Sequence, residues 1–368
     1  MLPLDYIEFF IFLVLLCAVG FFSGRGERKT SSDYFLAGRK LPWYVVGGSY
    51  VAANVSTEHF VGLVGASYIM GVVPAQAQWS TSLVILLIIF LFVPYLLKAK
   101  ITTIPEYLSR RFGSGTRLSF AVITVIANIT IFMAAVMYAG GLALSAFFGW
   151  PLIWCIIGTG IFAGGWAVYG GLSTAAWTGL VTAVVKVGGM GLLTIFALKG
   201  MTPSGGILDG FWSVIEHNRG TEGVWREALA ASPHLSQMGS YNRLSVIQPP
   251  DHPLIPWTSI LFTIVSVGVW YGAMNQFIVQ RVLGAKDIWH ARMGLMVAGY
   301  AKFLLPLIIV LPGLILFQRH PEYMLGDWKT ALHQADAGFV TLVQEFLPAG
   351  MRGLLLAVLF SAVQATVT

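Results

Sequence analysis

The sequence predicts an all-α integral membrane protein whose helices form an inverted repeat. Apolar residues make up 57% of the 368 positions and charged residues only 10%, a balance far from that of soluble domains. Runs of about 20 apolar residues, the length that crosses a bilayer as a helix, recur along the whole chain. Two of these runs, the second and the seventh, carry polar residues in their middle.

Nine apolar runs are predicted to cross the membrane. They lie near residues 5–22, 43–72, 80–97, 118–148, 151–170, 177–199, 255–280, 292–318 and 351 to the end. The first run follows Asp5 without a basic segment or a small-residue cleavage site, which favours a retained helix over a signal peptide. Cys17 and Cys155 both lie inside apolar runs, so the sequence supports neither a disulfide framework nor a metal cluster.

Basic residues follow the first, third and seventh runs, and Lys and Arg concentrate in cytoplasmic loops. They are Arg25, Arg28, Lys29, Arg39 and Lys40, then Lys98, Lys100, Arg110, Arg111 and Arg117, and then Arg281, Lys286 and Arg292. We expect these side chains at the cytoplasmic headgroups, which places the N-terminus outside. This loop charge also accounts for the net charge of +6, so no nucleic-acid partner is expected.

The parity of the runs predicts four parts of the chain. They are an extra N-terminal helix with its cytoplasmic loop (1–42), a first five-helix repeat (43–199), an extracellular loop (200–254) and the start of a second repeat (255–368). The first helix of one repeat starts inside and that of the other starts outside, which is the arrangement of an inverted repeat. The chain ends inside its ninth run, so we expect the second repeat to be truncated.

Polar residues interrupt the second run, between Tyr44 and Met70, in the stretch AANVSTEHFVGL that begins at Ala52. Each ionisable side chain at mid-membrane costs at least about 2.5 kcal/mol, so such residues mark functional sites. A helix broken inside protein tolerates them, because its freed carbonyls line a binding cavity. The seventh run is interrupted between Gly268 and Gln276, at the corresponding position of the second repeat. Paired broken helices predict a secondary transporter.

Four segments carry a resemblance to a known family. They are DYFLAGRKLPW from Asp33, TIPEYLSRRF from Thr103, NQFIVQRVLGAK from Asn275 and MRGLLLAVLFSA from Met351. In this order they resemble the sodium/solute symporter family, sodium/glucose cotransporter-like branch, from about Asp33 to Thr366. The resemblance implies a LeuT-like five-plus-five inverted-repeat fold and alternating-access symport of a small solute with sodium across the plasma membrane.

The resemblance also implies a sodium site between the first and eighth repeat helices. Its carbonyls would come from Ala52, Val55 and Ala362, and its hydroxyls from positions 365 and 366, where only Thr366 keeps one because Ala365 has none. A threonine hydroxyl bonded back to its own helix is the common alternative.

A second departure from the family concerns the sixth run. The family usually has an aspartate after Trp-Thr, but here Gly179 follows Trp177 and Thr178. Two turns deeper lies Lys186, which is a candidate for ion coupling unless it reaches the interface from near a helix end. Sodium is therefore the expected coupling ion, no other cofactor is expected, and a proton-coupled or sodium-independent carrier is the alternative.

For the solute, the resemblance implies a pocket of polar side chains with one aromatic gate. The candidates are Asn54, His59, Gln78, Thr81, Tyr271 and Lys302. Sugars suit this set, because their hydroxyls need donors and acceptors while their ring faces stack on an aromatic. Gln78 replaces the acid usual in this branch, so Glu58 becomes the candidate counter-ion of Lys302.

The sequence thus predicts sodium-coupled symport of a sugar or similar polyhydroxylated solute. A membrane solute sensor built on the same core is a further alternative. An enzyme is not expected, since Glu58 with His59 is the only acid–base pair at depth and no nucleophile motif stands beside it.

Overall fold

The computed structural model describes residues 2–25, 30–219, 242–252, 254–325 and 328–367. Arg28, Lys29 and residues 220–241 of the predicted extracellular loop lie outside this part of the chain. In the described residues, regular secondary structure is helical apart from one isolated bridge between Leu41 and Ala285. The all-α prediction is confirmed.

The helices are numbered here in chain order. They are α1 (Pro3–Gly24), α2 (Ser31–Leu36), α3 (Trp43–Asn54), α4 (Leu63–Met70), α5 (Ala75–Lys98), α6 (Ile104–Phe112), α7 (Ser114–Phe148), α8 (Leu152–Lys199), α9 (Ile207–Arg219), α10 (Ser259–Met274), α11 (Gln276–Leu283), α12 (Ile288–Arg319), α13 (Trp328–Phe346) and α14 (Met351–Val367).

Among the described residues, five helices are long and apolar enough to cross a membrane: α1, α5, α7, the part of α8 from Val168 and α12. The pair α10 and α11, bent by 48°, counts as a sixth. The fifth and ninth predicted runs correspond to the shorter apolar helices Leu152–Gly165 and Met351–Val367. The second run is divided between α3 and α4.

The interruption predicted in the second run is a break in the helix. Helix α3 ends at Asn54, because Val55 has φ −99° and ψ 89° and so leaves the helical region. The chain becomes helical again at Thr57, and a wide turn over Glu58–Gly62 leads into α4. The carbonyls before the break are thus freed from the regular pattern of helical hydrogen bonds.

The predicted interruption of the seventh run is also present. The segment Thr263–Met274 is wound as a wide π-helix, and the Asn275 amide donates to the Trp270 carbonyl at 2.9 Å. Asn275 itself is extended, with φ −72° and ψ 116°, and its side chain accepts from the Phe277 amide at 3.2 Å. A new helix, α11, therefore starts at this point in a different direction.

Small residues bring α3 close to two neighbours, α12 on one side and α8 on the other. A Cβ atom at Gly47 would lie 2.8 Å from the Gly294 carbonyl oxygen, and one at Gly179 would lie 3.0 Å from Ser49 Cβ. Close backbone approach at small residues is the usual packing of helices in lipid. The broken helix consequently lies at the centre of the bundle.

Helix α8 changes direction at Gly171, where the predicted fifth and sixth runs meet. Gly171 has φ 54° and ψ −154°, a conformation that is essentially restricted to glycine. A Cβ atom there would lie only 2.5 Å from the Tyr34 carbonyl oxygen. This turn therefore needs a glycine for both its backbone angles and its packing.

We expect Gly171→Ala to lower the apparent melting temperature in detergent by about 3 °C or more, since the strained backbone alone costs about 1–3 kcal/mol. The matched control is Gly188→Ala in the same helix, where nothing lies within 4 Å of the added Cβ. Thermal unfolding of both purified variants is the measurement. An equal melting temperature for the two would contradict the role assigned to Gly171.

Candidate functional site

The Lys186 side chain fills the break in α3. Its ammonium donates to the carbonyl oxygens of Ala52 at 2.7 Å and Val55 at 2.8 Å. Lys186 is 1% exposed, so its side chain does not reach toward an interface. The two carbonyls that the family resemblance implies for sodium therefore accept from an ammonium of the chain itself.

The geometry explains why an ammonium suits this position. Carbonyl oxygens freed by a broken helix in lipid need a donor or a cation, because no water is present to satisfy them. A lysine ammonium supplies one positive charge and three donors on a flexible stem. Its bonds to carbonyls are charge-assisted and therefore short.

The opposite side of this position is formed by α14. The hydroxyl of Thr366 donates to the Ala362 carbonyl of its own helix at 3.0 Å, which is the common alternative for a membrane threonine. The carbonyl of Ala365 accepts from the Arg281 guanidinium at 3.4 Å.

Arg281 differs from its sequence-based interpretation. It is 3% exposed, and its guanidinium also donates to the Phe277 carbonyl and lies over the Phe277 ring. The expectation that Arg281 lies at the cytoplasmic headgroups is therefore wrong, because the side chain turns inward to cap carbonyls of α11 and α14.

The lost aspartate of the sixth run has a packing explanation. Gly179 lies against Ser49. A Cβ atom added at Gly179 would lie only 3.0 Å from Ser49 Cβ, which is closer than most Cβ contacts in proteins. A carboxylate at position 179 would require α8 and α3 to move apart. Such a shift would alter the approach of Lys186 to the break, since both residues lie on α8.

Three of the candidate solute residues lie between α5 and α12. The Lys302 ammonium donates to the Thr81 hydroxyl at 3.1 Å, and both side chains are buried. Gln78 lies one turn from Thr81, is 6% exposed, and its Oε1 atom has no hydrogen-bond partner among the described residues. Trp79 fastens the two helices by donating to the Phe303 carbonyl at 2.9 Å.

Two further candidates lie at the break itself. Asn54 is 4% exposed, and its Nδ2 atom has no hydrogen-bond partner in the described part of the chain. His59 Nδ1 accepts from the Ser56 amide at 3.4 Å and lies 3.8 Å from Glu58 Oε1. The break thus presents amide, imidazole and carboxylate groups over six residues.

The sixth candidate, Tyr271, borders an inner cavity of about 160 Å³. Glu58 and Thr366 also line this cavity, and the Phe132 ring lies 6.1 Å from the Tyr271 ring. A larger cavity of about 590 Å³ shares Asn128 with it and is bordered by residues predicted to be cytoplasmic, such as Arg117. Neither of these two cavities is lined by Asn54, His59, Gln78, Thr81 or Lys302.

On the side of the predicted extracellular loop, α13 covers the second half of the broken helix. Phe60 and Phe339 are both buried, with ring centroids 6.3 Å apart. A Cβ atom at Gly65 would lie 2.9 Å from the Ala335 carbonyl oxygen. The site is therefore closed on this side, while its cavities lie toward the predicted cytoplasmic side.

Arg243, which sequence analysis did not single out, completes the closure on this side. Its guanidinium donates to the carbonyls of Tyr68 and Ile69, each at 2.8 Å, and lies 3.7 Å from the Phe317 ring centroid. Burial lowers the pKa of Arg243 to about 9, so it remains charged at neutral pH. It caps the C-terminal end of α4, a contact between distant segments that no local pattern indicates.

The comparisons with known proteins agree with this geometry. The family model described as "Sodium:solute symporter family" matches residues 34–368. The sodium/glucose cotransporter of Vibrio parahaemolyticus is 31% identical over 98% of this chain and 65% of its own length. The sodium/myo-inositol cotransporter of Bos taurus is 30% identical over 96% of this chain and 51% of its own length.

Among solved structures, a Na⁺-coupled sialic acid symporter in a substrate-bound outward-open state has the same fold. Its TM-score is 0.80 at 21% identity, over 99% of this chain and 70% of the other. This confirms the predicted LeuT-like inverted-repeat fold. The chain spans about half to two thirds of the length of the two cotransporters. Because the family model covers nearly all of it, the chain belongs to the sodium:solute symporter family.

Proposed function

We propose that this chain forms the transport core of a secondary active carrier for a sugar or similar polyhydroxylated solute. It works by alternating access. Its coupling ion is sodium, as in the relatives named as sodium cotransporters. It lies in the plasma membrane as a multi-pass protein with its N-terminus outside. The observation that carries this proposal is the buried polar segment at the break in α3, covered by α13 on one side and bordered at Glu58 by a cavity on the other.

The unequal closure of the two sides corresponds to an inward-facing conformation. Phe60, Phe339 and Arg243 hold the outer half together, while on the other side the smaller cavity borders Tyr271 and the larger one borders Arg117. Transport requires the opposite conformation as well, with the outer contacts broken and the inner cavities closed. Solute and coupling cation can drive this exchange only if each binds one conformation more tightly than the other.

We expect proteoliposomes holding the protein to accumulate labelled D-glucose, myo-inositol or D-glucuronate, and His59→Ala, Gln78→Ala and Lys302→Ala to weaken that uptake. A lost hydrogen bond to a charged group costs about 1.5–3 kcal/mol, so Lys302→Ala should raise the half-saturating concentration about tenfold or more. Initial rates over a range of solute concentrations are the measurement.

The control for these three variants is Lys199→Ala, at the exposed end of α8, which should transport as the unchanged protein does. Equal amounts of each variant in the vesicles must be verified by immunoblot. If all three site variants took up the solute as the control does, the assignment of these residues to the solute pocket would be wrong.

A second candidate for the coupling step is favoured by Lys186. Its ammonium takes the two carbonyls, Ala52 and Val55, that the family resemblance implies for sodium. In this second candidate the carrier is proton-coupled or sodium-independent. Deprotonation of the Lys186 ammonium then has the role that release of a sodium ion has in the first candidate. The absence of a carboxylate at Gly179 and of a hydroxyl at Ala365 supports the same candidate.

We expect Lys186→Ala to be less stable to heat than the unchanged protein, because two buried carbonyls lose charge-assisted bonds worth about 1.5–3 kcal/mol each. Sodium chloride, compared with choline chloride at equal ionic strength, should restore part of this stability only in the variant, since its carbonyls are free. Lys199→Ala serves as the control.

The matching uptake experiment compares an inward sodium gradient with an inward proton gradient. For the second candidate, protons drive accumulation in the unchanged protein and Lys186→Ala abolishes it. Accumulation driven by sodium alone, with Lys186→Ala unaffected, would establish the first candidate and leave the lysine a structural role.

A further inference from the structure

The core of the bundle carries more positive than negative charge. Lys186, Arg281 and Lys302 are all buried, with exposures of 1%, 3% and 6%. Among the described residues their hydrogen-bond acceptors are neutral, either backbone carbonyls or a hydroxyl. Glu58 is close enough to act electrostatically on Lys302. The two side chains do not form an ion pair within 4.0 Å among the described residues.

Lys302 differs from the other two cations in how it is satisfied. Lys186 and Arg281 each donate to two carbonyls, whereas Lys302 has one acceptor in the described residues, the Thr81 hydroxyl. An ammonium has three donors, so two of them remain. A buried charge without a compensating partner is costly, and an anionic acceptor is the partner that lowers this cost most.

The side chains near Lys302 offer neutral hydrogen bonds. Gln78 lies at the i−3 position to Thr81 on the same face of α5, with Oε1 unpaired in the described structure. An amide oxygen accepts from a solute hydroxyl, and an amide NH₂ group donates to one. The cluster therefore suits a molecule with several hydroxyls and one negative charge.

From these contacts we infer that the solute is anionic, a sugar acid whose carboxylate binds Lys302 while its hydroxyls bind Gln78 and Thr81. This inference rests on the proposed function and names the class of solute at the same site. A neutral sugar would leave two Lys302 donors without a charged acceptor. A cationic solute would be repelled by Lys186, Arg281 and Lys302 together.

D-Glucuronate and D-glucose test this inference, because they share the ring and its hydroxyls and differ at C6, a carboxylate in one and a hydroxymethyl group in the other. The measurement is competition of each unlabelled sugar against uptake of the labelled other in proteoliposomes, supported by ligand-induced thermal shifts. We expect D-glucuronate to bind about tenfold or more tightly than D-glucose, as a carboxylate replaces a neutral hydroxyl as the acceptor of the Lys302 ammonium.

Two variants make the site less positive, one by removing the cation and the other by adding a carboxylate, and a third keeps the charge. Lys302→Met should abolish the preference for D-glucuronate, and Lys302→Arg should retain it. Gln78→Glu places a carboxylate beside Lys302, so it should reverse the preference in favour of D-glucose. The matched control is Gln76→Glu, which adds the same charge two residues earlier, where Gln76 accepts from the Ser259 hydroxyl, and should keep the preference.

The outcomes separate the solute class from the function. Equal or tighter binding of D-glucose by the unchanged protein would overturn the anionic solute and leave the carrier in place. A preference for D-glucuronate that survives in both Lys302→Met and Gln78→Glu would overturn the role of Lys302. If the protein neither bound nor transported D-glucuronate, D-glucose or myo-inositol, the inference and the proposed function would both fail.

Discussion

The need to satisfy two backbone carbonyls in the middle of a membrane helix governs the centre of this molecule. The break after Asn54 frees the carbonyls of Ala52 and Val55, and lipid offers them no donor. Lys186 supplies the donors from α8, provided that α8 lies close enough to α3. Gly179 makes this approach possible, since a larger residue there would press on Ser49. Packing and electrostatics at the break therefore depend on each other.

The same requirement is met on the second repeat by a different cation. Arg281 donates to carbonyls of α11 and α14, so the two helices that face the break are held by a side chain of the chain itself. Because its relatives are named as sodium cotransporters, one would expect a bound ion between the break in α3 and α14. In this chain, cationic side chains contact the carbonyls on both sides, while Thr366 bonds within its own helix.

The fold could be predicted from sequence because it depends on local patterns. Apolar runs and polar residues at mid-span predicted the helices and both interruptions, whereas only the structure showed that Lys186 is buried. The partners of Arg281 and Arg243 could not be predicted, since they join segments far apart in the chain and depend on which rotamer a long side chain adopts. For Lys302, sequence indicated a missing counter-ion, but only the structure gave Thr81 as its partner.

The attachment of the Lys186 ammonium to the chain has a consequence for the conformational balance. A free ion occupies its site according to its concentration, and its influence on the two conformations falls when the medium is depleted. A tethered ammonium has no such dependence, because it cannot diffuse away and its local concentration is set by the length of its side chain. Dilution, dialysis or a change of salt cannot empty these carbonyls. In the second form of the carrier proposed above, protonation is the variable that changes the charge held there, so acidity takes the place of an ion concentration.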